Sequence, residues 1–374
     1  MNLGNSAQSY IGLRGHTDFL EQFCIAKQNN QLHHAYLFFG KLGIGKSLLA
    51  RQLAAYLLQE EKENTPVFNG MEQNEVKNIL SLNENNSVWR QVFYHSHPDL
   101  IYLFAHKSET NKSGQIKIED IKSIAHLTHH QSGRGGWRIV IIDSLDNTNR
   151  NSSNAILKIL EEPPEKTIFF LISHKINNVI PTIRSRCQQV RLKPLSDSDA
   201  LAILQSHMED QEGSNLKQLI WLAEGSPGMA LLIANAKIEI IIDTLADIFL
   251  KNNFEFQKFS SLMAKWGADI SKMPEMAEAT AFLIDKLFSQ AALSAVAALS
   301  IADDKNIKNK ENDFDHISLL TLAEYLAEKH TAEELAKFHI EWQIGLQQAE
   351  QSYLDMGVFM QQIFYKIYSQ TQTP

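Results

Sequence analysis

The chain has 374 residues, of which 44% are hydrophobic and 21% charged, a globular composition that sets aside wholesale disorder and, by length, suggests two or three domains. A formal net charge of -8 sets aside DNA wrapping by overall basicity, though not a local basic face, and two cysteines, Cys24 and Cys187, are too few for a disulfide scaffold or a zinc site of several thiolates. The opening MNLGNSAQSY is neither basic nor apolar and the longest small-apolar run, Ala291–Ala302, is too short for a bilayer, so the expectation is a soluble, reduced, cytoplasmic protein without signal peptide or membrane contact.

Tyr36–Phe39 is a short apolar run that reads as a buried strand ending at Gly40. A glycine-rich turn follows, and then a helix over 47–59, where Leu49, Leu53 and Leu57 make one apolar stripe. Residues 61–97, with seven Asn and many charges, read as a peripheral, partly ordered insertion with a helix over 71–82. Trp137–Ile142 is a strand leading to Asp143, Asn151–Glu161 a helix stopped by Pro163-Pro164, and Thr167–Ser173 another buried strand. This alternation predicts an α/β domain with a mostly parallel sheet covered on both faces.

After Pro194 the pattern becomes helical. Ser196 can cap a helix over 200–207, a second short helix spans 215–224, Gly225-Ser226-Pro227-Gly228 is a break, and a further helix starts near Met229. From Ile240 onward only helical periodicity remains, enough for a bundle of five or six helices, with Thr331 and Glu334 patterned as a capping box before a long one. The expected division is 1–194, an α/β nucleotide-binding fold; 195–238, a small helical lid; and 239–374, an all-α domain.

Gly40-Lys41-Leu42-Gly43-Ile44-Gly45-Lys46-Ser47 fits G-x-x-x-x-G-K-[ST] completely. Gly40, Gly43 and Gly45 let backbone amides curl round a phosphate, the following helix directs its N-terminus at the anion, Lys46 supplies a cation, and Ser47 a hydroxyl for Mg²⁺. The competing reading is a relic loop that keeps the fold without the chemistry. Asp143 ends a strand where a P-loop enzyme places its second magnesium carboxylate; the bland alternative is a strand-end turn residue. Ser144 follows it, and a serine cannot act as the base that polarises attacking water. The nearest acid is Asp146. The site is therefore expected to hold ATP and Mg²⁺ and to hydrolyse poorly.

Ile183-Arg184-Ser185-Arg186-Cys187 follows the third strand. A guanidinium there can reach a neighbouring molecule's γ-phosphate, although on the residues alone a surface or salt-bridged Arg is the commoner role. Cys187 reads as a small buried hydrophobe. Among fourteen His, the pairs His33-His34 and His129-His130 and the alternating His95 and His97 have no cysteines near them, and structural or surface roles are expected. The basic, glycine-rich stretch 128–138 is either a phosphate-backbone contact or a flexible lead-in to its strand.

These motifs, in this order, carry a resemblance. His34–Gly40 leading into the loop, His97-Pro98-Asp99-Leu100, Ile116–Ile121, Gly135–Asp143, Asn151–Pro164, Phe170–His174 and Pro181–Cys187 together resemble the delta-prime subunits of bacterial DNA polymerase III clamp loaders, in the AAA+ superfamily, over about residues 8–235. The resemblance implies that Arg186 is an arginine finger acting in trans on the ATP of an adjacent subunit. It implies that Ser173 senses the γ-phosphate, and that the cis sensor arginine is absent because Gly228-Met229 stand in its place. Many relatives carry a four-cysteine zinc module between the P-loop and the Asp strand; here residues 61–97 occupy that interval and no zinc is expected. The implied function is that of a stator with weak or absent ATPase. Its implied place is a hetero-pentamer with gamma/tau motor subunits and a delta subunit, loading the sliding clamp onto primer–template DNA in the cytoplasmic, nucleoid-associated replisome, with the last 135 or so residues forming a collar. Two alternatives stand beside it: a working gamma/tau-like motor ATPase, and a non-enzymatic AAA-like scaffold.

Overall fold

The computed structural model describes residues 13–59, 72–104, 116, 118–129, 136–208, 213–251, 254–301, 318–352 and 355–371. The first ten residues, the stretch 61–71 of the expected insertion, and 130–135 of the basic segment lie outside the described residues. The chain divides into two compact units, one of 1–213 with 224–228, the other of 214–223 with 229–374.

In the first unit the order is α1 (Thr17–Gln28), β1 (Ala35–Phe39), α2 (Lys46–Leu58), α3 (Glu72–Ser81), α4 (Ser87–Phe93), β2 (Leu100–Phe104), α5 (Ile118–His129), β3 (Arg138–Asp143), α6 (Arg150–Glu161), β4 (Thr167–Ser173), α7 (Pro181–Arg184), β5 (Gln188–Arg191) and α8 (Asp197–His207). The five strands form one parallel sheet in the order β2-β3-β4-β1-β5. Alternate residues feed two cores. Tyr36, Phe38, Ile139, Ile141, Ile168, Phe170 and Ile172 face α1–α4, whereas Leu37, Val140, Ile142, Phe169 and Leu171 face α5–α7. The strands expected over 36–39, 137–142 and 167–173, and the helices over 47–59 and 151–161, are present with ends shifted by a residue or less.

The stretch 72–93 is not peripheral. The expected helix over 71–82 is present as α3, and α4 follows it; Val76 and Ile79 from α3, Leu82 just after it, and Trp89 and Val92 from α4 are all buried in the core with α2. The fully buried Gln52 ties them down, its amide donating to the carbonyls of Ile79 (2.6 Å) and Leu82 (2.8 Å) and accepting from the Trp89 indole (3.0 Å). Part of the asparagine richness is capping chemistry: the Asn86 side chain accepts from the Trp89 amide at 2.8 Å and starts α4. Helix α1 and strand β2 are not among the expected elements, although Leu100–Phe104 is an apolar run of the same kind as Tyr36–Phe39, and β5 carries no strong sequence signal of its own. β5, with mostly exposed residues, is an edge strand defined by its pairing with β1.

The second unit holds α9 (Gly213–Leu222), most of α10 (Pro227–Ala236), and then α11 (Ile238–Leu250), α12 (Phe256–Lys272), α13 (Pro274–Ile301), α14 (Ser318–Lys329), α15 (Ala332–Ser352) and α16 (Met356–Thr371). From α11 onward that is six helices among the described residues. The capping box forms as expected: the Thr331 amide donates to the Glu334 carboxylate (2.8 Å) and the Glu334 amide donates to the Thr331 hydroxyl (3.3 Å). The apolar run that begins at Ala291, read by itself as too short for a bilayer, is the C-terminal part of α13, whose stretch Met276–Ala298 is long and apolar enough, by length and composition, to cross one. Within that stretch Thr280 and Lys286 are buried beside Leu283, Ile284, Leu287 and Phe288, the mixed burial of a core helix.

Candidate functional site

Three strand ends converge at the carboxyl edge of the sheet, where β1 runs into the glycine loop, β3 ends at Asp143 and β4 ends at Ser173. The strand order places β4 between β1 and β3, and such a crossover edge is where open α/β sheets bind ligands. In the loop, Gly45 caps α2 at φ 94° and Gly43 has φ 79°, both in the left-handed region. At Gly40 a Cβ would lie 2.5 Å from the Leu192 carbonyl oxygen, so the approach of backbone to backbone excludes a side chain.

Lys46 is buried, and its ammonium donates to the loop's own carbonyls at Gly40 (2.9 Å) and Lys41 (2.6 Å). Burial pulls its pKa down to about 8, with Asp143 and Asp146 partly opposing. Ser47 and Asp143 do not touch directly. The Tyr102 hydroxyl stands between them, donating to Asp143 Oδ2 at 2.7 Å and lying 2.9 Å from Ser47 Oγ, while Arg51 donates to it at 2.9 Å. A phenol has one proton to give; since that goes to Asp143, Ser47 is the donor in its pair. Burial, and then the Asp143 charge, push Tyr102 up to about 12, so it stays protonated. The His95 ring stacks on Tyr102 at 3.9 Å between centroids, and the Arg51 guanidinium lies over the Tyr102 and Phe93 rings at 4.9 and 5.3 Å. Burial, then the Arg51 charge, hold His95 near pKa 4 and thus neutral.

Ser173 pairs in register with Phe39, next to the start of the loop; its hydroxyl is fully buried and has no hydrogen-bond partner. Ser144 takes a left-handed φ of 65°, and the Asp146 carboxylate is engaged by the amides of His174 (3.1 Å) and Lys175 (3.2 Å), so neither stands ready as a water-activating base. The segment 224–228 folds over the loop: Lys41 pairs with Glu224, the Ser226 hydroxyl donates to the Leu42 carbonyl (2.6 Å), and the Gly228 amide donates to the Gly43 carbonyl (3.0 Å). A Cβ on Gly228 would stand 2.7 Å from Gly43 Cα, which gives a steric reason for glycine there.

The sheet edge thus gathers Gly40, Gly43, Gly45, Lys46, Ser47, Asp143 and Ser173. The partners of Arg186 lie elsewhere: its guanidinium meets Glu161 at 2.8 Å and donates to the Thr182 carbonyl at 3.0 Å. Burial pushes the Cys187 thiol up to about 12, fitting an inert hydrophobe. Among the described residues no group of three or more His, Cys, Asp or Glu gathers to hold a metal. Sequence reasoning missed Tyr102 and Arg51, while His95, expected in a structural or surface role, supplies a ring stack. Only Arg51 had a local signal, lying four residues after Ser47 on the same helix face.

Residues 15–196 match the family described as "DNA polymerase III, delta subunit". Among curated proteins, DNA polymerase III subunit delta' of Pseudomonas aeruginosa is 31% identical over 52% of this chain and 53% of its own length. Subunit delta' of Buchnera aphidicola from Acyrthosiphon pisum is 29% identical over 60% and 64%, and subunit tau of Escherichia coli K12 is 29% identical over 62% and 33%. The chain thus spans between a third and two thirds of the length of these relatives. A solved gamma subunit-related protein of Thermotoga maritima aligns with 96% of this chain and all of its own at 14% identity and a TM-score of 0.38, too low to bear on the assignment.

Proposed function

We propose that this chain, a delta-prime-like relative of the DNA polymerase III clamp-loader subunits, is a stator in DNA replication: a subunit that completes the loader ring and acts on a neighbour's nucleotide more than on its own. The observation that carries this reading is the pairing of a complete phosphate loop with a disabled base position, Ser144 beside Asp143 and Asp146 held by two amides.

ATP phosphates rest on Gly40–Ser47, with Lys46 turning from the loop carbonyls to the β- and γ-oxygens and the partnerless Ser173 hydroxyl available to the γ-phosphate. The oxygen donors Ser47 and Asp143 suit a hard cation such as Mg²⁺, which when bound neutralises phosphate charge. Arg186 reaches the γ-phosphate on an adjacent gamma/tau subunit, its planar fork matched to phosphate oxygens. The three-part division at 194 and 238 then corresponds to nucleotide fold, lid and collar, and the pentamer with gamma/tau and delta subunits loads a sliding clamp onto primed DNA.

Two measurements test this. Calorimetry with ATP should show binding by the wild type that Lys46→Ala abolishes; no binding at millimolar ATP by the wild type selects the relic loop. In a loader reconstituted with gamma/tau, Arg186→Ala should depress clamp- and DNA-stimulated ATPase, with the loss at the one site it serves on the order of 10³–10⁵ and diluted over the complex. Arg186→Lys should rescue only in part. Equal rates for wild type and Arg186→Ala reject the trans role. The intact loop also favours a working motor; steady-state turnover by the isolated chain near that of a motor subunit selects that reading, whereas turnover near background is expected.

A further inference from the structure

The Tyr102 hydroxyl takes part in no step of that function, yet it occupies the gap between the two residues that would serve a metal. It makes three hydrogen bonds of 2.7–2.9 Å, to Asp143, Ser47 and Arg51, the full capacity of a phenol. Its ring is fixed by the near-parallel His95 stack (interplanar angle 8°) on a residue held at φ 55°, and by the Arg51 guanidinium lying over it. Strand pairing supplies the placement: β2 lies beside β3, with Tyr102 in register with Ile141 and Phe104 with Asp143. Mg²⁺ demands near-octahedral oxygens at about 2.0–2.1 Å. A phenolic oxygen inserted between the Ser47 hydroxyl and the Asp143 carboxylate keeps both from closing on one cation.

We propose that Tyr102 is a latch on the metal position, holding Ser47 and Asp143 in the nucleotide-free state and opening before a magnesium–nucleotide complex can engage both. The inference rests on the reading of Gly40–Ser47 as a phosphate loop. Phosphate contacts made by the loop and Lys46 do not require the latch to open, so metal-free nucleotide binds without its cost. Magnesium adds less affinity here than at a site whose hydroxyl and carboxylate meet directly.

The test is titration calorimetry of ATP into wild type and Tyr102→Phe, each with Mg²⁺ and with EDTA. Phenylalanine keeps the ring, the His95 stack and the Arg51 contact and removes only the hydroxyl. The ratio of affinity with Mg²⁺ to affinity with EDTA should rise about tenfold in Tyr102→Phe, the order expected for releasing one hydrogen bond to a carboxylate, while the EDTA affinities stay within about twofold. An unchanged or smaller magnesium ratio, with nucleotide still bound by both proteins, overturns the latch and leaves the nucleotide site standing. No binding by either protein under either condition overturns both. Should Tyr102→Phe misfold, Tyr102→Leu fills the same slot without a hydroxyl and must give the same rise.

Discussion

The trans role proposed for Arg186 requires it to leave the partner it has in this structure. In the lone chain it is tethered to Glu161, with both side chains substantially exposed, at 35% and 44%. Exposed ion pairs contribute about 0–1 kcal/mol, so the tether can be given up when a stronger anion is offered. Two outcomes are expected. Arg186→Ala should change the free energy of urea unfolding by less than about 1 kcal/mol, and Glu161→Gln should leave ATP binding by the chain unchanged. Gly228 lies at the opposite extreme, because no side chain fits. Gly228→Ala places a Cβ 2.7 Å from the Gly43 backbone and should destabilise by about 1–3 kcal/mol while weakening ATP binding, since the loop itself is displaced. Thermal melts and calorimetry on that variant check both effects; full stability with full binding would mean that 224–228 is not packed on the loop.

At the scale of elements, α2 joins two roles. Its N-terminus carries Lys46 and Ser47, and one turn later Gln52 pins α3 and α4 through three hydrogen bonds. Gln52→Leu is close in volume but strands two carbonyls and an indole N–H in the core. A loss of about 2–4 kcal/mol in urea unfolding is expected, against less than about 1.5 kcal/mol for a swap between apolar residues of equal volume. The capping box at Thr331 is a milder device in the second unit, and Thr331→Ala should cost about 1 kcal/mol there.

At the scale of the whole molecule, five histidines with depressed pKa values, of which only His330 is buried outright, set a common response to acid. His16, His34, His95, His174 and His330 are all pulled below the usual imidazole value, with burial the leading cause in each. In the unfolded chain these rings protonate near pH 6.5; in the folded chain they do so lower, near 4 for His95 and His174. The unfolded state therefore binds more protons in that window, and stability falls as pH drops from about 6.5 toward 4. Urea midpoints measured from pH 7.5 to 5 should decline. His330→Leu should flatten the decline in the second unit: that ring is buried against Phe338 and its Nε2 has no partner.

Whatever depends on neighbours along the chain is legible in the residues alone. Eight contiguous residues specify the phosphate loop, because glycine dihedrals and a following helix N-terminus are local properties. Apolar runs specify β1, β3 and β4, and with them Asp143 and Ser173 as strand ends; the helical character of the chain from α11 onward follows from periodicity, and Thr331 with Glu334 from a spacing of three. Tertiary structure decided what depends on residues far apart. No spacing connects Ser47, Tyr102 and Asp143; they meet because β2 pairs beside β3 and the Tyr102 hydroxyl finds three partners there. The polar stretch around α3 and α4 looked peripheral because its hydrogen-bonding partner, Gln52, is some thirty residues away and buried. β5 is a strand only because β1 offers its edge. Local signals record backbone preference and burial periodicity, whereas a buried polar group is chosen for partners that only the folded chain supplies.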